Sequence, residues 1–230
     1  MDTVTNRSRT AEALKAVWPI CLGYIPVGMA FGVLARKAGL TPPEIAMMSL
    51  LVFAGSSQFI AVSMISAGAA AGEIILTAFV VNLRHLLMSS SLAVFLGNEK
   101  RTKLSLLAYG ITDESFAVNI ARFRNGNWDA DRCLIVNQVA NSAWIISTVI
   151  GGYGGQFIPE GAFGIDYALI AMFICLLIFQ LRGRKYVITA LIAGITAVFL
   201  SLILPGNSYI VPAAVFAASI GFVFQRLPKL

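Results

Sequence analysis

The chain has 230 residues, 58% of them hydrophobic and only 12% charged. Soluble domains carry about 25% charged residues, so half that share on long apolar runs excludes a soluble globular domain and describes an all-α integral membrane protein. The net charge of +6 comes from Lys and Arg in short polar stretches and at the ends of the chain; no basic stripe is interleaved with aromatics, which argues against a nucleic-acid partner.

A membrane helix needs about 20 mostly apolar residues. Candidate spans fall near 16–35, 45–67, 73–96, 104–121, 133–151, 163–181, 186–204 and 209–225. That predicts eight spans, or seven if one segment is re-entrant, in a single permease domain over 1–230. The polar stretch 1–15 precedes the first run without an Ala-x-Ala-like site, as an uncleaved first span would. With eight spans and the amino terminus inside, inside segments hold Arg7, Arg9, Lys15, Arg122, Arg124, Arg132, Arg182, Arg184, Lys185, Arg226 and Lys229. Outside segments hold Arg36, Lys37, Lys100, Arg101 and Lys103. This bias predicts both termini in the cytoplasm. The basic loop 97–103 fits it worst; placed inside, it would make the fourth segment re-entrant.

The first span carries Gly23, Tyr24, Pro26 and Gly28 in one stretch. Proline removes a backbone donor and clashes with the preceding turn. Two readings are open: a kink packed through Gly28 and Gly32, or a discontinuous helix whose broken ends bind substrate. The second span carries Gly55, Ser56, Ser57 and Gln58, and Ser49, Ser56 and Ser63 share one face if the helix is continuous. Such residues join helices by hydrogen bonds or line a solute path.

The third span holds Asn82, Arg84 and His85 near its middle. Charges at that depth mark function by default. Arg84 cannot reach an interface and is expected to pair with Asp113 or Glu114 of the fourth span, where Thr112, Ser115 and Asn119 add further polarity. Adjacent carboxylates there are costly unless paired or protonated, so the unpaired one is free for a proton or an amine. A buried ion pair that only fixes helix register is the plainer reading. His85 is the single histidine, which excludes a multi-histidine metal site; it serves either as a proton switch near neutral pH or as a hydrogen-bonding core residue. The fifth span opens with Asn137, Gln138 and Asn141, followed by Trp144 on the same face. Cys21, Cys133 and Cys175 lack metal spacing and a disulfide framework. They are expected to be small core residues, and no cofactor or metal is expected.

An internal repeat is visible when Gly23–Ala30 is laid over Gly110–Ala117: Lys37 then meets Arg124 and Gly39 meets Gly126. The candidate units are 16–96 and 104–181, with 182–230 as additional helices. Three spans per unit would give a 3+3 inverted repeat, with substrate between interrupted helices at Pro26 and at Asp113-Glu114. This favours the discontinuous reading of Pro26.

Four stretches in order resemble the AzlC/YgaZ family, the large subunit of bacterial branched-chain amino-acid exporters. They are Gly23-Tyr24-Ile25-Pro26-Val27-Gly28 with Phe31-Gly32, Phe53-Ala54-Gly55-Ser56-Ser57-Gln58-Phe59, Asn82-Leu83-Arg84-His85, and Thr112-Asp113-Glu114-Ser115-Phe116. The resemblance implies an exporter of leucine, isoleucine, valine or similar hydrophobic amino acids in the bacterial cytoplasmic membrane. Some members are linked with methionine or azaleucine resistance. It also implies a small, separately encoded membrane partner of the AzlD/YgaH type.

A zwitterion needs a partner at each end. Donors near Gly23–Gly28 with Ser56, Ser57 and Gln58 are expected to hold the carboxylate, and Asp113 or Glu114 the ammonium. Phe31, Phe53 and Phe59 either form the apolar pocket or pack the core. Glu114, Asp113 or His85 are the candidates for proton coupling. Two other classes compete: an intramembrane serine hydrolase using Ser56 or Ser57 with His85, disfavoured by the missing Gly-x-Ser-x-Gly elbow, and a non-transporting subunit or channel of a membrane complex.

Overall fold

The computed structural model describes residues 2–97, 99–126, 128–157, 167, 170–171, 174, 177–178, 181, 183–203 and 209–226. Regular structure among them is helical throughout: α1 (Asp2–Lys37), α2 (Pro42–Leu51), α3 (Gly55–Ser66), α4 (Ala71–Leu96), α5 (Arg101–Tyr109), α6 (Asp113–Arg124), α7 (Ala130–Gly154) with a 3-10 turn (Gly155–Phe157), α8 (Arg184–Ile203) and α9 (Ile210–Arg226). Four of the described stretches are long and apolar enough to cross a membrane: Arg9–Lys37, Ala71–Leu96, Ala130–Phe157 and Arg184–Ile203. The predicted sixth span falls largely outside the described residues, and so does Cys175. Cys133 is buried and Cys21 half-buried, both as free thiols.

The centre of the molecule is the pair α1–α7. Glu12 of α1 meets Arg132 in the first turn of α7 at 3.0 Å, the Ser147 hydroxyl donates to the Tyr24 carbonyl at 3.2 Å midway, and Gly155 lies against Val33 and Arg36 at the far end. Residue numbers rise together along both helices, so they run parallel. Their approach is close: a Cβ on Gly32 would lie 2.1 Å from the Thr148 carbonyl oxygen, and one on Gly151 would lie 2.1 Å from that of Met29. This contact explains why Pro26 does not break the chain. The interruption expected there is absent, and α1 continues through both Pro19 and Pro26. A proline inside a helix costs about 3 kcal/mol; dense backbone packing against α7 holds the helix across it.

The interruptions lie elsewhere. The second predicted span divides at Val52–Ala54, and the fourth at Gly110–Thr112. Each pair of short helices folds back on itself instead of crossing. In the first hairpin, α2 runs against the direction of α7: Ile45 fills the space over Gly152, and Ser49 bonds Thr148 at 2.9 Å. Gln58 on α3 then reaches back across the break to Ser49, 3.2 Å away. A continuous helix would hold residues nine apart about 13 Å from each other. Ser49, Ser56 and Ser63 therefore do not share one helical face.

In the second hairpin one side chain clips both arms at one level. Asn137 of α7 donates to the Leu107 carbonyl of α5 at 3.0 Å and accepts from Asn119 of α6 at 3.0 Å. At the open end Lys103 meets Asp131 at 2.6 Å, and Phe95 of α4 stacks on Phe123 of α6 at 5.4 Å. So α4 runs opposite to α1 and α7, and the two hairpins enter from opposite ends of the bundle. This corrects the placement of the loop 97–103. It lies at the same end as Glu12, Asp129 and Arg132, not at the far end. Among residues 1–157 that leaves Arg36 and Lys37 as the cations of the far end, against Arg7, Arg9, Lys15, Lys100, Arg101, Lys103, Arg122, Arg124 and Arg132.

Local chemistry explains both breaks. Phe53 sits at φ +37°, a left-handed conformation costing about 1–3 kcal/mol without glycine. Its ring is buried and faces Tyr109 at 6.1 Å. At the other break a Cβ on Gly110 would lie 2.7 Å from the Asn137 Cβ, so only glycine allows α5 this close to α7. Thr112 then caps α6: its hydroxyl accepts the Ser115 N–H at 3.3 Å while its own N–H donates to the Ser115 hydroxyl at 2.9 Å. Outside the bundle, Thr41 and Glu44 form a similar capping box at the start of α2. Hydrogen bonds from Thr41 hold the Glu44 carboxyl below the usual range.

Candidate functional site

The hairpin tips meet α1, α4 and α7 around a cavity of about 540 Å³. Its walls are Pro19, Ile20, Gly23, Tyr24, Pro26, Val27 and Ala30 from α1; Phe53, Ala54, Gly55 and Ser56 from the first hairpin; Arg84 and His85 from α4; Thr112, Asp113 and Glu114 from the second; and Trp144, with Ala171. The α1 wall is mostly apolar. The polar groups converge from the two tips and from α4.

Arg84 ties the tips together. Its guanidinium pairs with Asp113 at 2.6 Å and donates to the Ser56 hydroxyl. The ion pair expected with one of the two carboxylates thus forms with Asp113. Removing either partner would strand a charge at membrane depth. Glu114 is differently placed. It accepts from the Tyr24 hydroxyl at 2.8 Å, which is also 2.7 Å from the Thr112 hydroxyl. Glu114 has no cationic partner among the described residues. His85 lines the cavity without a hydrogen bond to Ser56 or Ser57, so the nucleophile–base contact of a serine hydrolase is not formed among the described residues.

The tips differ in polarity. A helix N-terminus carries about half a positive charge on amides that lack intrahelical acceptors. At α3 the capping position is Ala54, which offers no side-chain acceptor, and Gly55 and Ser56 line the cavity. At α6 the end is closed by Thr112 and Ser115 and carries Asp113 and Glu114 in its first turn. One tip therefore presents open donors, the other carboxylates.

Of the residues singled out from sequence, the cavity brings together Gly23, Tyr24, Pro26, Gly55, Ser56, Arg84, His85, Asp113 and Glu114. Phe53 and Thr112 line it as well, whereas Gly28, Ser57, Gln58, Asn82, Asn137 and Asn141 lie outside its walls. Gly28 admits Ser147 of α7. Ser57 donates to the Ala54 carbonyl at 3.0 Å. Gln58 is fully buried, accepting from the Trp144 indole at 3.0 Å. Asn137 clips the second hairpin. Asn82 and Asn141 each keep one buried polar atom unpaired, Oδ1 and Nδ2 respectively. Phe31 and Phe59 pack edge-to-face at 5.2 Å in the core, while Phe53 lines the cavity. Sequence reasoning did not assign Trp144, Ile20 and Val27 to the wall; their signal was helical spacing from Asn141 and from Gly23.

A family model described as "AzlC protein" matches residues 19–158. That match includes α2 to α7 and the second half of α1. The chain is 32% identical over 198 residues to "Inner membrane protein YgaZ" of Escherichia coli, covering 82% of this chain and 81% of that one. It is 29% identical over 216 residues to "Branched-chain amino acid transport protein AzlC" of Bacillus subtilis, covering 91% and 84%. An uncharacterized membrane protein of Archaeoglobus fulgidus is 31% identical over 191 residues, covering 80% and 81%. No solved structure matches the chain.

Proposed function

The chain belongs to the AzlC family, and on that footing we propose that it exports branched-chain or similar hydrophobic amino acids from the cytoplasm. The observation that carries this reading is the opposed polarity of the two hairpin tips across a largely apolar cavity. The open α3 amides and the Ser56 hydroxyl receive the substrate carboxylate, and Arg84 adds positive charge beside them. Glu114, oriented by Tyr24, receives the ammonium. Asp113 is engaged by Arg84, so its role is to hold the tips in register. The aliphatic side chain lies against Ile20, Val27 and Phe53. The printed name of the Bacillus subtilis relative supports the substrate class.

The two hairpins support alternating access, one gating from each end. They also support an inverted repeat in a register other than Pro26 against Asp113. With hairpin laid on hairpin, Ala54 meets Thr112 and Ser57 meets Ser115; one residue later in offset, Asn82 meets Asn141 and His85 meets Trp144. Interrupted helices meeting at the midplane are the usual site in such folds. The cation distribution supports placing the amino terminus and the loop 97–103 in the cytoplasm, in a cytoplasmic membrane like that in the Escherichia coli relative's name. A small subunit of the AzlD/YgaH type is the proposed partner. Glu114 and His85 are the proposed proton carriers; transport unchanged after collapse of the pH gradient, at fixed voltage, would remove that role.

The test is efflux of labelled leucine, valine and methionine from cells expressing the full chain with and without an AzlD-type subunit. The reading expects saturable efflux, lost in Glu114→Gln at unchanged membrane abundance. Efflux no faster than from control cells would refute it.

A further inference from the structure

The glycines of α1 are of two kinds. A Cβ at Gly28 would lie 2.0 Å from the Ser147 hydroxyl oxygen, and one at Gly32 2.1 Å from the Thr148 carbonyl oxygen. Both are glycine because α7 passes too close for any side chain. Gly23 has no such reason. It lies inside the helix, it lines the cavity, and a Cβ built on it meets nothing within 4 Å among the described residues. Glycine there costs helix stability relative to alanine, and no close approach by a described residue requires it.

What glycine leaves at this point is room. Ile20 and Val27 line the cavity on either side of Gly23, and spacings of three and four residues put all three on one helical face. Two branched side chains therefore flank a notch. The next residue is Tyr24, whose hydroxyl orients Glu114, so the notch lies on the wall beside the polar end of the cavity.

Resting on the amino-acid export reading above, we propose that Gly23 is a specificity-determining residue. The space over its Cα receives the distal carbons of the substrate side chain, while Glu114 and the α3 terminus hold the zwitterionic end. The chemical class it admits is a branched or long aliphatic side chain; filling the notch turns the site toward shorter ones. A helix hinge between Pro19 and Pro26 is the competing reason for glycine, and it makes a different prediction. Loss of a hinge slows every substrate alike, whereas loss of the notch discriminates by size.

The experiment is efflux of labelled leucine and valine from cells expressing the full chain, wild type against Gly23→Ala, Gly23→Val and Gly23→Leu, with an AzlD-type subunit present and membrane abundance measured. One methylene in an apolar pocket is worth about tenfold or more in discrimination. The leucine-to-valine ratio is expected to fall with each added carbon, by about tenfold overall, while valine efflux persists in Gly23→Ala. Should Gly23→Leu fail to accumulate, the alanine variant carries the comparison, since its methyl group meets no neighbour among the described residues. Gly28→Ala is expected to lose abundance, because its methyl group collides with α7. Equal loss of both substrates, or an unchanged ratio, overturns the notch alone. A wild-type protein without saturable leucine efflux overturns the notch together with the export reading.

Discussion

The two re-entrant hairpins have the same shape and opposite chemistry. Each has two short helices, a three-residue break and a tip at the cavity. Each is fastened to α7 by buried hydrogen bonds: Ser49 and Gln58 to Thr148 and Trp144 in one, the Leu107 carbonyl and the Asn119 amide to Asn137 in the other. Yet the α3 tip is capped by Ala54 and the α6 tip by a Thr112–Ser115 box beside two acids. The fold therefore brings two helix N-termini to one cavity, and a handful of side chains sets their opposite polarity. The polarity of the two tips differs through capping chemistry.

The largest test of this comparison is sidedness. In a background without the native cysteines, Thr102→Cys is expected to react with an impermeant reagent from the same face as Arg9→Cys, and Ala69→Cys only from the opposite face. Reaction of Thr102→Cys from the Ala69 face would turn the second hairpin back into a crossing helix. A second test makes the tips alike. Ala54→Asp supplies the missing acceptor to α3 and a negative charge at the proposed carboxylate site. Burying an unpaired like charge against a ligand costs about 2–5 kcal/mol, so apparent leucine affinity is expected to drop by well over tenfold, with the protein still assembled. Unchanged affinity would place the carboxylate elsewhere.

Smaller effects follow from the clips. Asn137→Ala leaves the Leu107 carbonyl and the Asn119 amide without a partner in a buried site. A stranded group of that kind costs about 1–3 kcal/mol, which a lowered unfolding temperature in detergent would register. Tyr24→Phe removes one hydrogen bond to Glu114 without removing the charge. It is expected to raise the KM for efflux about fivefold, as for a net loss of about 1 kcal/mol, with abundance unaffected. An unchanged KM would show that Tyr24 does not orient Glu114.

Much of the site was legible in the sequence because polar residues are conspicuous in apolar runs. Arg84, Asp113, Glu114, Ser56 and Tyr24 stood out, and the structure gathers them around one cavity. The path of the backbone was less legible. Hydropathy measures length and polarity, and a hairpin of two short apolar helices has the same profile as one crossing helix. The break at Phe53 carries no glycine or proline of its own; it is held by tertiary contacts to Tyr109 of α5 and to Trp144 and Thr148 of α7. Pro26, the strongest local breaker signal, was overridden by the glycine contacts of α1 with α7. The basic loop 97–103 did carry a hint, since cations there fit poorly on the far side. Lys103 reaching Asp131 at 2.6 Å is the contact behind that hint.

Whether Glu114 holds an ammonium is decided by binding of labelled leucine to the purified full chain, in competition with 4-methylpentanoate, the same molecule without its amine. The account predicts that Glu114→Gln weakens leucine by about a hundredfold, as for loss of a charged partner, and leaves 4-methylpentanoate as tight as in wild type or tighter. Equal weakening of both ligands, or leucine binding that ignores the substitution, would contradict an ammonium site at Glu114 and with it the opposed-tip account.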